Sequence, residues 1–274
     1  MDVLVTGAHG TVGTAITEQF ADDHDFTLLD ERTADDDHPH ADYDTVVADV
    51  ADYDAIRPAF DGQDAVVHLA GYPRTDGTFD EVLDANIVGT HNVLEAARDA
   101  GITHVVLASS NHVVGMTEVA NQPDIYFGTD VELDHTAPIR PDSEYGSSKA
   151  AGEAFGRQYA ENYGMNVYAL RICSVRDPEY DHPFGDAERG VDDGEWERGS
   201  DEYLRQAARM KCMWQSRRDC AQLVECCLQN DDVRFGIFYG VSANERRWFD
   251  IDHARERLGY EPQDSADNWD MPPK

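Results

Sequence analysis

Tyr145 and Lys149 stand four residues apart in Tyr145-Gly146-Ser147-Ser148-Lys149. On a helix that spacing puts both side chains on one face, so an ammonium comes beside a phenol and favours its ionised form. A phenol of ordinary pKa ~10 has to fall by about 3 units to act as a base near neutrality, worth roughly 4 kcal/mol. The chain contains only three lysines, Lys149, Lys211 and Lys274. Where nearly every other cation is arginine, a lysine at this position points to a need for a compact ammonium that a planar guanidinium does not meet.

A second constellation is Gly7-Ala8-His9-Gly10-Thr11-Val12-Gly13, directly after an apolar run and opening a helical one. Glycines there allow a tight turn, let backbone amides approach a pyrophosphate and permit close helix packing, while the helix N-terminus favours negative charge. A second strand pattern ends in Asp30, 23 residues after Gly7. Its carboxylate can accept both ribose hydroxyls of an adenosine and would repel a 2′-phosphate, so NAD is expected rather than NADP, with Arg32 close enough to soften the preference. Ala108-Ser109-Ser110-Asn111-His112 ends the fifth strand pattern. At the C-terminal edge of a parallel sheet these side chains face the ligand crevice, where Ser110 can hold a substrate hydroxyl opposite Tyr145, and Asn111 and His112 add polar contacts.

The elements that position these residues alternate. Strand patterns run over 3–6, 27–30, 45–49, 65–69, 104–109, 166–172 and 236–240, and helical patterns over 12–21, 52–60, 79–100, 145–163, 201–211, 217–229 and 252–258. Apolar strands in turn with helices predict an α/β protein, a Rossmann-type doubly wound parallel sheet with a small C-terminal substrate-binding region. The division expected is 1–172 for the cofactor and 173–274 for the substrate, with strand 236–240 rejoining the sheet. Residues 176–209 read as a long polar loop, lid-like because Tyr180, Phe184, Trp196 and Tyr203 punctuate it.

Charge narrows the classes further. The 274 residues carry 22 basic and 55 acidic side chains, net charge −33, which excludes a nucleic-acid binder. The acid is spread along the chain and predicts a protein of a salt-rich cytosol, since at about 1 M salt the Debye length falls to ~3 Å. Hydrophobic residues at 41% supply a core. No stretch is long and apolar enough for a membrane span, and Met1-Asp2-Val3-Leu4-Val5-Thr6 enters a strand without a leader, so a cytoplasmic protein is expected. The odd set Cys173, Cys212, Cys220, Cys226 and Cys227 reads as reduced thiols. His38-Pro39-His40 beside Asp35-Asp36-Asp37 has ligand-type residues but reads as a solvated loop, and no metal is expected.

Together, the glycine motif, Asp30, Asp49-Val50, His68-Leu69-Ala70-Gly71, Asn86 and the Ser110/Tyr145/Lys149 trio resemble the extended branch of the short-chain dehydrogenase/reductase superfamily. Ser109-Ser110-Asn111-His112, Arg171-Ile172-Cys173-Ser174, Arg209-Met210 with Trp214, and Tyr239-Gly240-Val241-Ser242-Ala243-Asn244 are similar to the uronate dehydrogenases and to the halophilic archaeal aldose (L-arabinose) and glucose-6-phosphate dehydrogenases. The resemblance implies that Gly7, His9, Gly10, Thr11, Val12, Gly13, Asp30, Asp49, Val50, Leu69, Ala70, Gly71, Asn86, Tyr145, Lys149 and Ile172 hold the cofactor. It also implies that Arg74, Ser110, Asn111, His112, Ser174 and Arg209 meet the sugar, with Ser174 and Arg209 where uronate enzymes hold a carboxylate. Tyr72-Pro73-Arg74-Thr75 carries an arginine and one extra residue where that family presents a serine, so Arg74 either meets a phosphate or hydroxyl or pairs with Asp76. Long helices at 79–100 and 145–163 pair across a two-fold axis in this family, which implies a homo-oligomer.

The reaction implied is oxidation of the anomeric carbon of a cyclic aldose, aldose phosphate or uronate to the lactone, with Tyr145 as base, Ser110 on the oxygen and Lys149 serving the phenol and the nicotinamide ribose. A nucleotide-sugar epimerase or dehydratase begins with the same hydride step, so the trio does not separate the two. Only about 100 residues follow the sixth strand, modest room for a nucleoside diphosphate as well as a sugar. A cofactor-sensing regulator without chemistry has no need of Tyr145 and Lys149.

Overall fold

Strand residues alternate between two apolar layers. In β1 (Asp2–Thr6), Val3 and Val5 enter one buried cluster and Leu4 the other; in β4 (Ala65–His68), Ala65 and Val67 go one way and Val66 the other. This period-2 division, apolar on both sides, requires cover on both faces. With β2 (Asp25–Asp30), β3 (Thr45–Val47), β5 (His104–Ser110), β6 (Asn166–Ile172) and β7 (Phe235–Gly240) these strands form one sheet, order β3-β2-β1-β4-β5-β6-β7, every pair parallel. The computed structural model describes residues 1–273.

One face is covered by α1 (Thr11–Phe20) and α9 (Arg217–Leu228), which pack on each other. On the other lie α2 (Tyr53–Ile56), the continuous run α3 (Phe79–Val82), π-helical Leu83–Val88 and α4 (Gly89–Ala100), and then α6 (Glu144–Tyr163). Strand order reverses at β1, because β2 and β3 build outward on one side and β4 onward on the other. Beyond the C-terminal ends of β1 and β4 a crevice must open, the place where sheets of this kind take ligands.

Two stretches depart from the sequence expectation. Residues 111–127, after β5, form a 3-10 turn (Asn111–Val114), α5 (Met116–Asn121) and a second 3-10 turn (Asp124–Phe127). In the segment read as a lid-like loop, 176–209, the unexpected element is α7 (Gly185–Asp192), packed on α8 (Asp201–Met213), which answers to the helical pattern over 201–211. Phe184, Ala187, Tyr203 and Ala207 make a small core there, joined by Trp196, whose indole N–H donates to Ala187 O at 2.9 Å. The polarity of α7 concealed it: Asp186 and Glu188 are buried acids, neutralised by Arg176 and Arg198. The last helix is α10 (Asp252–Leu258).

Candidate active site

At the switch point lies a large cleft of about 1540 Å³. Its floor is the glycine loop. Gly7 has φ +67, and a Cβ there would lie 2.5 Å from Ala70 N; one on Gly13 would lie 2.2 Å from Ala8 O. Both are required by packing of the loop against β4 and α1. Gly10 is different, because an added Cβ would meet only Gly7 O, at 3.4 Å. No side chain caps the N-terminus of α1, which begins one residue after Gly10. An uncapped helix N-terminus beneath a bare floor fits a pyrophosphate. Asp30 lines the same cleft; its Oδ2 accepts from His9 N (3.0 Å) and its Oδ1 from Glu31 N (2.9 Å), leaving a lone pair on each oxygen for ribose hydroxyls.

The opposite wall comes from the start of α6. Ser143 caps it, accepting from Gly146 N at 3.1 Å, and a Cβ on Gly146 would lie 2.4 Å from His112 O. This close approach sets Tyr145 against the turn after β5, with its ring centroid 5.9 Å from that of His112. Lys149, one helical turn on, places Nζ 5.7 Å from the Tyr145 ring centroid. Burial pulls the Lys149 ammonium down to about 8. Burial also pushes the Tyr145 phenol above its ordinary range, against the Ser110 hydroxyl, which favours the ionised form. The fall of the phenol pKa expected from the sequence is therefore absent here, because burial of Tyr145 outweighs the Ser110 hydroxyl. His112 Nδ1 lies 2.7 Å from Asp142 Oδ2; burial raises Asp142, but the hydrogen bond and charge of His112 outweigh it and hold the carboxyl low.

The cleft is lined by Gly7, His9, Gly10, Thr11, Val12, Gly13, Asp30, Asp49, Val50, Leu69, Ala70, Gly71, Arg74, Ser110, Asn111, His112, Tyr145, Lys149, Ile172, Ser174 and Arg209, residues that sequence reasoning had assigned to it. Asn86 is not among the lining residues. It is 2% exposed and behind the wall, its Oδ1 accepting from Tyr72 N (2.6 Å) and its Nδ2 donating to Tyr72 O (3.1 Å) and Ser148 Oγ (2.9 Å). Its amide ties the loop after β4 to α6, behind the residues that line the cleft. Arg74, also in the lining, pairs with Asp76 at the surface at 2.9 Å.

Arg209 is not a free cation. Its Nε donates to Glu118 Oε1 at 2.6 Å and Asp186 lies 3.9 Å away; burial works against its charge and Glu118 outweighs that. Around it the same wall carries Arg176, Arg189 and Arg205, none of them singled out in the sequence. Arg176 holds Asp186 through two bonds (2.5 and 2.8 Å), and Arg205 holds Glu202 (2.6 and 2.9 Å). Arg205 and Arg209 are four apart on one helix face, a spacing that would have revealed the pair; Glu118 and Asp186 gave no local signal.

His38 and His40 correct the reading of a solvated loop. His40 is 1% exposed, and both rings pack on His9 of the glycine loop at centroid distances of 5.1 and 5.4 Å.

Residues 3–189 match the model of the NAD dependent epimerase/dehydratase family. The chain is 40% identical over 269 residues to the NAD-dependent glucose-6-phosphate dehydrogenase of Haloferax volcanii, spanning 96% of this chain and 94% of that protein. It is 35% identical over 270 residues to the L-arabinose 1-dehydrogenase (NAD(P)(+)) of the same organism, spanning 96% and 97%. The crystal structure of uronate dehydrogenase from Agrobacterium tumefaciens superposes with a TM-score of 0.76 at 30% identity, covering 100% of this chain and 90% of that one. With the glycine loop, the acidic end of β2 and the Tyr145/Lys149 pair assembled in one cleft, the chain belongs to the NAD dependent epimerase/dehydratase family.

Proposed function

We propose that the protein is an NAD-dependent sugar 1-dehydrogenase, oxidising the anomeric carbon of a cyclic aldose to the lactone. The observation that carries this reading is the convergence of Ser110, Tyr145 and Lys149 on the cleft whose floor is the uncapped glycine loop. Tyr145 removes the proton of the anomeric hydroxyl, and Ser110 holds the oxygen as it becomes a carbonyl. Lys149 keeps its charge at neutral pH, below its pKa of about 8, one helical turn from the phenol whose ionised form an ammonium would favour. NAD, when bound, supplies the hydride acceptor and a positive ring that lowers the phenol further.

Within the sugars, the arginine wall favours an anionic substrate. Arg176, Arg189, Arg205 and Arg209 face Glu118, Asp186 and Glu202, a local excess of cation inside a chain of net charge −33. A phosphate suits this wall better than a single carboxylate, since several donors there retain unused N–H groups. Similarity to a glucose-6-phosphate dehydrogenase points the same way. A division at 172 is part of this reading, supported by Asp30 and the glycine loop before it and Ser174 and the four arginines after it. A salt-rich cytoplasm and a homo-oligomeric state complete the proposal, supported by the spread of acid and by the exposed Val88 and Tyr163 on the long helices.

The test is a panel of free aldoses, aldose phosphates and uronates offered with NAD in molar KCl, followed at 340 nm. Fastest NADH formation is expected with glucose 6-phosphate. No NADH from any of them, with conversion of a UDP-sugar instead, would overturn the reading in favour of an epimerase.

A further inference from the structure

Away from the reacting end of the cleft, three histidines from distant positions meet. His9 comes from the glycine loop, and His38 and His40 from the segment after β2. Their ring centroids form a nearly equilateral triangle, 5.1, 5.2 and 5.4 Å on a side, and every pair of rings is steeply inclined, at 74°, 65° and 57°. A tetrahedral ion bound at 2.0–2.1 Å by one nitrogen of each ring would set imidazole centroids about 5 Å apart. One nitrogen from each of the three lies within 4.8 Å of the others, and His9 Nδ1 and His40 Nδ1 are 3.1 Å apart.

The surroundings fix which nitrogens are available. Thr17 Oγ1 donates to the carbonyls of Gly13 (3.1 Å) and Thr14 (3.2 Å), so toward His40 Nε2, at 2.5 Å, it is the acceptor. His40 therefore carries its proton on Nε2 and turns a bare Nδ1 toward His9. With His40 Nδ1 bare, His9 Nδ1 donates to it at 3.1 Å; ligation moves that proton to His9 Nε2, where Thr45 Oγ1, at 3.1 Å, can accept it. A metal-bound imidazole donates its far N–H to an oxygen acceptor, the part that Thr17 Oγ1 plays for His40. His38 contacts His9 O through Nε2 (3.0 Å) and accepts His40 N–H on Nδ1 (3.0 Å); to ligate, Nδ1 exchanges that amide for the ion.

The geometry points to a binding site for a divalent transition ion of the Zn²⁺ class at His9, His38 and His40, with the fourth position open to water. Three imidazoles disfavour Mg²⁺ and Ca²⁺, which take oxygen ligands. Such an ion would fasten the segment after β2 to the glycine loop, and so brace the adenosine end of the cleft, where His9 N holds Asp30. This departs from the sequence expectation of no metal and does not rest on the sugar assignment.

The test uses the full chain, stripped with chelator, incubated with Zn²⁺ in molar KCl and passed through gel filtration. One Zn²⁺ per chain is expected to remain, and Co²⁺ in its place should give the intense visible bands of tetrahedral nitrogen coordination. His38→Ala and His9→Asn should each lower Zn²⁺ affinity by at least the about 10–100-fold that outer-shell changes cause, with circular dichroism unchanged. The Zn²⁺ proposal fails if the metal elutes away from the chain, if Co²⁺ gives only the pale octahedral spectrum of surface carboxylates, or if both variants bind as tightly as the parent.

Discussion

Tyr145 and Lys149 are one turn apart on α6, yet desolvation acts on them in opposite directions, raising the phenol and lowering the ammonium. If the phenol oxygen is the base, Tyr145→Phe should lower kcat by about 10²–10⁴-fold, the usual worth of a positioned base. NAD affinity, followed by fluorescence titration, should stay near that of the parent, because the floor of the cleft is the glycine loop; normal turnover would remove the assignment. Lys149 makes a separate, thermodynamic prediction. Its folded pKa of about 8 lies below the ordinary 10.5, so between those pH values the unfolded chain binds the extra proton. Stability therefore rises with pH across that window and is lost as pH falls through about 8. Comparing urea unfolding of the protein and of Lys149→Met should show the difference in free energy moving in favour of the parent from pH 8 to 10.5. Parallel profiles would mean that the ammonium is solvated.

Helices α7 and α8 carry Arg189 and Arg205 into the cleft, and their role is separable from the chemistry. Arg205→Ala should lower kcat/KM for glucose 6-phosphate by about 10–100-fold, the range for one hydrogen bond to a charged group, mostly through KM. The value for unphosphorylated glucose should hardly change, since Glu202, left behind, is partly exposed and readily solvated. Equal losses on both sugars would make Arg205 a prop of α8. How far these elements were legible follows from their physics. Strand 166–172 and helix 252–258 coincide with the sequence reading, because buried β-rich runs and a terminal Gly259 are local signals. The glycine loop and Tyr145/Lys149 were legible for the same reason, their function being written in spacing. Helix α7 was not, since its inward side carries Asp186 and Glu188, whose burial depends on arginines 10 residues away in each case. The partners of Asn86 were equally hidden: only the folded chain reveals that Tyr72 and Ser148 engage its amide.

At the scale of the whole molecule, 55 acidic side chains against 22 basic ones set two effects against each other when salt is added. Screening weakens attractions such as Arg57–Asp61 and Arg157–Glu161, but exposed pairs of this kind are worth about 0–1 kcal/mol each. Screening also relieves the repulsion among 33 uncompensated carboxylates spread over one compact surface, and this term acts over the whole charge distribution. Repulsion should win, with stability rising as salt is added. The Debye length shortens from about 10 Å at 0.1 M to about 3 Å at 1 M, so most of the gain belongs below 1 M. Melting curves in a KCl series should therefore climb steeply to about 1 M and flatten beyond it, by about 2–4 °C for each kcal/mol of repulsion relieved. A Tm that stays flat to 1 M and rises only at higher concentration would identify exclusion of salt from the surface as the cause, and the acidic coat would then have no part in holding the fold together.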